Sequence, residues 1–124
     1  MAPKATLENV DGYLLARAKG DWHPDGASRE LQMVARAARE RGYTRVLIDA
    51  RGLTDPKSSV YRFMAGEDIA KFFGPAIKVA AICPAELIDR LAEITAINRG
   101  ARFIVVPEID KALCWLLGDP TEKE

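Results

Sequence analysis

Two adjacent serines, Ser58 and Ser59, are the side chains whose type and spacing most directly indicate chemistry. They stand nine and ten positions after Asp49, which ends a short apolar run, and an apolar pattern typical of a helix begins at Ser58. A serine at a helix start can cap unpaired backbone N–H groups, and the partial positive charge there also favours a phosphate. Lys57 adds a further positive charge. The pair is therefore a candidate phosphorylation or anion-binding site, and its structural alternative is a capping Ser58 beside a solvent-facing Ser59.

Further polar side chains near this helix start are predicted to form a binding surface with the serines. Asp49 is expected to bond backbone amides of the loop that follows it, and Asp55 is expected to form a turn with Pro56. The residues assigned to this surface are Asp49, Arg51, Asp55, Lys57, Arg62 and Cys83.

The single histidine and the two cysteines limit other chemistry. One imidazole, that of His23, cannot form a polyhistidine metal site, and Cys83 and Cys114 lack C-x-x-C spacing. Neither a metal site nor a disulfide framework is therefore predicted, and both thiols are expected to be small buried apolar groups. The chain also lacks the glycine-rich and nucleophile motifs of cofactor-binding and hydrolytic enzymes, so no cofactor and no catalytic residue are predicted. A small hydrolase that uses His23 or Cys83 beside a carboxylate is the least favoured alternative.

The elements that must position these residues alternate in the order β-β-α-β-α-β-α-β-α. This order predicts an α/β fold with a mostly parallel sheet and an N-terminal antiparallel hairpin, and it places ligands at the carboxyl ends of the strands. Strands are predicted over Ala5 to Asn9, Tyr13 to Lys19, Arg45 to Asp49, Ile77 to Ile82 and Arg102 to Val106. Helices are predicted over Ser28 to Arg41, from Ser58 to the Gly74-Pro75 stop, over Ala85 to Asn98 and over Glu108 to Leu117.

Length and composition fit one compact domain. The chain has 124 residues, 48% of them hydrophobic, with a core predicted over about residues 5–118 and a loose tail over 119–124. Its 18 basic and 18 acidic residues exclude a strongly basic nucleic-acid module and an acidic disordered chain. No apolar stretch approaches the roughly 18 residues of a membrane span, and the start has no secretory pattern. A cytoplasmic protein is predicted.

Aromatic residues are the remaining candidates for contacts. Trp22 stands in a turn-like stretch, where it is expected to cover a sheet edge or to contact a partner or lipid. Trp115 is expected to lie in the core or in a dimer contact. The helix that starts at Ser58 is rich in aromatic residues, and Tyr61 and Met64 are among those expected to point to the core. Any that stay outside would form a patch suited to self-association, so a homodimer is predicted.

Four segments resemble the STAS superfamily, and within it the SpoIIAA-like branch related to anti-sigma factor antagonists. The first segment is similar to the apolar strand and D-x-x-G-[VL] turn of that family, and the others to its K-[VI]-A strand, R-G turn and A-L-x-W-L terminal helix. They are Val46 to Leu53, Ile77 to Ala80, Asn98 to Gly100 and Ala112 to Leu116.

The resemblance implies a non-enzymatic interaction module that binds a protein partner, such as a kinase or an anti-sigma-like protein. In the antagonists the second serine of the pair is phosphorylated, and this position corresponds to Ser59. The flanks differ, because Lys57 replaces an acidic residue and Val60 replaces a glycine. The alternative that the resemblance offers is a carrier of a small molecule or lipid, which requires an apolar cavity between the Ser58 to Phe73 helix and the sheet.

Overall fold

A computed structural model describes residues 1–54, 58–88 and 90–118 of the chain. The positions Asp55, Pro56 and Lys57, and the tail predicted to be loose, lie outside these ranges. The strands are β1 (Lys4–Val10), β2 (Tyr13–Gly20), β3 (Arg45–Leu53), β4 (Lys78–Ile82) and β5 (Arg102–Val106). The helices are α1 (Pro24–Glu40), α2 (Ser59–Phe73), α3 (Leu91–Asn98) and α4 (Ile109–Leu117), and a short 3-10 turn covers Ala85–Leu87.

The five strands form one sheet in the order β1-β2-β3-β4-β5. β1 and β2 pair antiparallel around the turn at Asp11 and Gly12, and the other neighbours pair parallel. Gly12 has a φ of 96°, a left-handed conformation that glycine adopts without the steric cost of a side chain. This architecture confirms the predicted α/β fold class, with its antiparallel hairpin at one edge.

The helices divide unequally between the two faces of the sheet. α1, α2 and α3 cover one face, where alanines of α1 lie against Ile69 and Phe73 of α2 and against the inward side chains of the strands. α4 covers the other face, where Ala112 and Leu116 pack on Leu47 and Ile82. Because strand side chains alternate between faces, each central strand contributes apolar residues to both cores.

α1 and β3 are longer than the sequence pattern predicts. α1 begins at Pro24 rather than Ser28, and its N-cap residue, His23, makes no side-chain capping bond. Proline at the first helical position is compatible with helix geometry because its missing N–H would be unpaired there anyway. β3 runs on to Leu53 through the predicted loop, because the chain continues to pair with β2 as far as Gly20.

The helix predicted over Ala85 to Asn98 is interrupted. The 3-10 turn ends at Leu87, and Arg90 has a φ of 71°, a left-handed conformation that an α-helix cannot contain. The Arg90 guanidinium donates to the Glu93 carboxylate at 2.9 Å and to the Val105 carbonyl at 3.2 Å. Glu93 in turn accepts the Val105 N–H at 2.8 Å. These bonds satisfy outward-facing backbone groups of the edge strand β5 and so stabilise the strained residue that starts α3.

Gly66 allows α2 and α3 to pack closely. A side-chain carbon at this position would lie 2.5 Å from the Ala92 carbonyl oxygen and 2.7 Å from the Thr95 Cβ. Thr95 is buried at this contact. The close approach packs the two helices side by side on one face of the sheet.

Candidate functional site

Ser58 and Ser59 have different environments at the start of α2. Ser58 is half-buried and is the N-cap, with its Oγ accepting the Tyr61 backbone N–H at 3.4 Å. Ser59 is exposed in the first turn of the helix. The neighbouring Val60 is also exposed, at 64% of its surface. One hydroxyl therefore serves the helix, whereas the other is accessible to a partner or a modifying enzyme.

Asp49 binds the arginine two positions after it. The Asp49 carboxylate accepts the Arg51 Nε–H at 2.9 Å, a second guanidinium N–H at 2.8 Å and the Arg51 backbone N–H at 3.2 Å. The hydrogen bonds from the Arg51 side chain hold the pKa of Asp49 below its ordinary value of 3.8, although partial burial acts in the opposite direction. The predicted bond from Asp49 to a following backbone amide is thus present, but Arg51 lies in β3 rather than in a loop.

The predicted binding surface is divided between the two faces of the sheet. Ile48 and Ala50 contact the core beneath α1, α2 and α3, whereas Leu47 contacts the core beneath α4. Side-chain alternation therefore places Asp49 on the α4 face, and its two side-chain bonds place Arg51 there as well. Ser58 and Ser59 belong to α2, on the opposite face.

Two adjoining cavities lie beneath α2, at the carboxyl ends of the parallel strands. The first has a volume of about 170 Å³ and is lined by Arg62 of α2, by Cys83 after β4 and by residues of β3, α3 and β5. The second has a volume of about 130 Å³ and extends between the sheet and α1 and α2, with Ile69 and Phe103 in its wall. Arg62 and Cys83, both half-buried, are thus the two members of the predicted surface, among those that the structure describes, that line this first cavity.

Four alanines from four different elements line both cavities. They are Ala50 of β3, Ala65 of α2, Ala81 of β4 and Ala92 of α3. Neighbouring inward positions carry Ile48, Ile69 and Phe73, which fill the adjoining core. The open space therefore follows from small side chains that converge at one point from separate parts of the chain.

Trp22 and Tyr61 form an aromatic pair at this site. Their ring centroids are 5.3 Å apart and the ring planes are inclined by 30°. Trp22 lines both cavities, and its backbone N–H donates to the Thr54 Oγ1 at 3.1 Å. The loop before α1 is thereby connected both to the end of β3 and to the first turn of α2. Trp22 covers the space between helix and sheet rather than an edge of the sheet.

The sequence and the fold of the chain were compared with those of known proteins. No protein-family model and no curated protein sequence matches the chain. Among solved structures, the chain is similar to the crystal structure of an anti-sigma factor antagonist from Mycobacterium paratuberculosis. The match has a TM-score of 0.64 at 15% sequence identity and covers 94% of this chain and 95% of the other. The chain has a STAS-like fold. At this identity the similarity establishes the fold, and it confirms the fold that the strand and turn motifs imply.

Several other residues of this STAS-like fold differ from expectation. Cys114 is exposed on α4 and Cys83 is only half-buried, so the prediction of two buried thiols is wrong. Met64, expected in the core, is 37% exposed. The His23 side chain is exposed and has no hydrogen-bond or ion-pair partner within residues 1–54, 58–88 and 90–118. The carboxylate partner that a small hydrolase would require at His23 is therefore absent from these residues.

The same described ranges contain neither a candidate metal cluster nor a candidate membrane-spanning helix. No group of three or more histidine, cysteine or acidic side chains there could hold a metal ion. None of the helices in those ranges is both long enough and apolar enough to cross a bilayer.

Proposed function

We propose that this chain is a non-enzymatic regulatory module that binds a protein partner through the surface at the start of α2. The observation that carries the proposal is the exposed hydroxyl of Ser59, held in a helical first turn by the cap residue Ser58. The fold shared with an anti-sigma factor antagonist supports it.

Phosphorylation of Ser59 would change this surface through charge. A phosphoserine carries about −1.5 to −2 charges at pH 7, and a helix N-terminus stabilises such an anion. Arg62 lies three positions further along the helix, on the same side as Ser59. The modified serine would therefore attract basic groups of the module and repel acidic groups of a partner.

Affinity capture from the native cell, combined with phosphosite mapping, tests this function. The bait is the full chain, compared with Ser59→Glu and Ser59→Ala, and Thr44→Glu is the matched control. Thr44 is exposed before β3, so it carries the same charge change at the opposite end of the strand. We expect Ser59→Glu to lose or gain at least one specific partner, while Thr44→Glu captures the same partners as the unmodified chain. Identical partners for all four baits would contradict the proposal.

A second candidate function, the carriage of a small molecule or lipid, is supported by the cavities beneath α2. They lie between this helix and the sheet, as a carrier requires, and their walls are largely apolar. Native mass spectrometry of gently purified protein tests it, because a carried ligand adds its own mass to the chain. A clean apo mass from protein purified without detergent would weigh against carriage.

The predicted homodimer is retained as part of the proposal. Apolar side chains are exposed on the adjacent helices α2 and α3, namely Val60, Phe63, Met64, Ile94 and Ile97. Sedimentation velocity over a range of concentrations tests it. We expect a dimer that Ile97→Glu dissociates, and a monomer at all concentrations would remove the homodimer from the proposal.

A further inference from the structure

The alanine-lined cavities have the size of a small organic molecule. An engineered apolar cavity of about 150 Å³ in another protein stays free of water and binds benzene. The first cavity, of about 170 Å³, therefore accommodates one six-membered ring, and the adjoining cavity of about 130 Å³ extends the space beyond it. Their largely apolar walls give water few hydrogen-bond partners, so displacement of water by an apolar occupant is favourable.

The charged groups at the first cavity are engaged elsewhere. The Arg90 guanidinium and the Glu93 carboxylate bind each other and the backbone of Val105. Arg62 also has an interaction of its own. In the second cavity, the Glu30 carboxylate accepts the Ala5 backbone N–H at 2.8 Å. Lys4, which also lines the second cavity, is exposed. The alanines and the Trp22 indole therefore form the inner surfaces available to an occupant, and such surfaces favour an uncharged one.

We infer that the cavities bind an uncharged aromatic molecule of one or two rings, packed between Trp22 and the wall that contains Cys83. This inference rests on the second of the proposed functions and narrows it to a ligand class. Aromatic rings pack favourably against indole, and Trp22 is already held in place by Tyr61 and Thr54. Such a preorganised wall loses little conformational freedom when a ligand binds.

The two cysteines provide a direct measurement of occupancy. Cys83 lines the first cavity, whereas Cys114 is exposed on α4, on the other face of the sheet. The full chain is alkylated with N-ethylmaleimide with and without indole or toluene, and the two sites are followed separately by mass spectrometry. With ligand at ten times its Kd, we expect labelling of Cys83 to slow about tenfold and that of Cys114 to stay constant. Naphthalene-1-sulfonate, which has rings of similar size and a fixed charge, should give no protection.

Filling the cavity provides the matched variant. Ala65→Leu places a larger side chain in the wall shared by both cavities, and it should abolish protection of Cys83 while circular dichroism confirms the fold. Met64→Leu changes the neighbouring exposed position and should keep the protection. If Ala65→Leu does not fold, Ala92→Val replaces it, because it narrows the same space from α3.

The outcomes distinguish a wrong ligand class from the absence of any carrier function. No protection of Cys83 by indole or toluene, equal protection of Cys114, or protection that persists in the filled variant would each overturn the inferred class. If native mass spectrometry then detects a charged or larger ligand, carriage stands and only the class is wrong. A clean apo mass together with no protection of Cys83 would contradict both the ligand class and the carrier function.

Discussion

The indole of Trp22 lies against the ring of Tyr61, with centroids 5.3 Å apart. Tyr61 also donates its backbone N–H to the hydroxyl of Ser58, so one residue contacts both the cavity wall and the helix cap. The two candidate functions, partner binding at the start of α2 and ligand binding beneath it, therefore share a structural connection. A change in the position of Trp22 would therefore be transmitted through Tyr61 to the first turn of α2, which contains Ser59.

The first prediction concerns the coupling between these two rings. In a double-mutant cycle with Trp22→Leu and Tyr61→Leu, we expect an interaction free energy of about 0.5–1.5 kcal/mol, as for other aromatic pairs. The measurement is the free energy of unfolding in urea. Trp115→Leu combined with Tyr61→Leu is the control and should be additive within about 0.5 kcal/mol, because Trp115 packs against Lys78 on the other face. If the effects of Trp22→Leu and Tyr61→Leu on the free energy of unfolding were additive, the two rings would not stabilise each other.

The second prediction separates the two serines by stability. Ser58→Ala removes the side-chain acceptor of the α2 cap and should lower the free energy of unfolding by about 1 kcal/mol. Ser59→Ala changes an exposed hydroxyl that has no capping bond, so its effect should stay within about 0.5 kcal/mol. Chemical denaturation of both variants checks this. An equal loss from both would mean that Ser59 also has a structural role.

Elements bounded by strong local signals could be predicted from the sequence. β5 agrees with its predicted range, Arg102 to Val106, because Gly100 and Pro107 enclose a short apolar run. The prediction that Ser58 and Ser59 lie at a helix start is also confirmed, because the apolar pattern that begins there is local. The extension of β3 depends on its pairing with β2, where Ala50 and Arg51 of β3 oppose the single residue Ala18 of β2. Pairing between distant segments leaves no local pattern.

The candidate site required information that local patterns do not contain. Trp22 and Tyr61 are 39 positions apart in the chain, and nothing near either one indicates their contact. The alanines of the cavity come from four elements, and a single alanine in a helix or strand is unremarkable. Glu93 likewise belongs to an apolar helix, and its role appears only when α3 packs beside the edge strand β5. From the sequence we can state that a carrier needs an apolar cavity, but the position and lining of that cavity follow only from the packing of the elements.

The third prediction concerns the contact between α2 and α3. Replacing glycine by alanine inside a helix usually adds stability, by about 1 kcal/mol. At Gly66 the added carbon would instead lie 2.5 Å from the Ala92 carbonyl oxygen, so the helices must separate. We expect Gly66→Ala to lower the free energy of unfolding by about 1–3 kcal/mol. Glu67→Ala, at the next position, should cost less than about 1 kcal/mol, because it removes only an exposed ion pair with Arg99. A more stable Gly66→Ala variant would contradict the close packing.

The fourth prediction uses pH to examine Asp49 and Arg51. Because hydrogen bonds from Arg51 lower the pKa of Asp49 in the folded chain, the ionised carboxylate stabilises the fold. This stabilisation is complete above the unfolded-state value near 3.8 and is lost as the pH falls through the lower folded-state pKa. The wild-type chain should therefore be more stable than Asp49→Asn at pH 6, and the difference should shrink steadily from about pH 4 downward. Urea unfolding at a series of pH values measures it. In an Arg51→Gln background the same substitution should give a smaller difference with less dependence on pH, and an unchanged difference would assign the effect to groups other than Arg51.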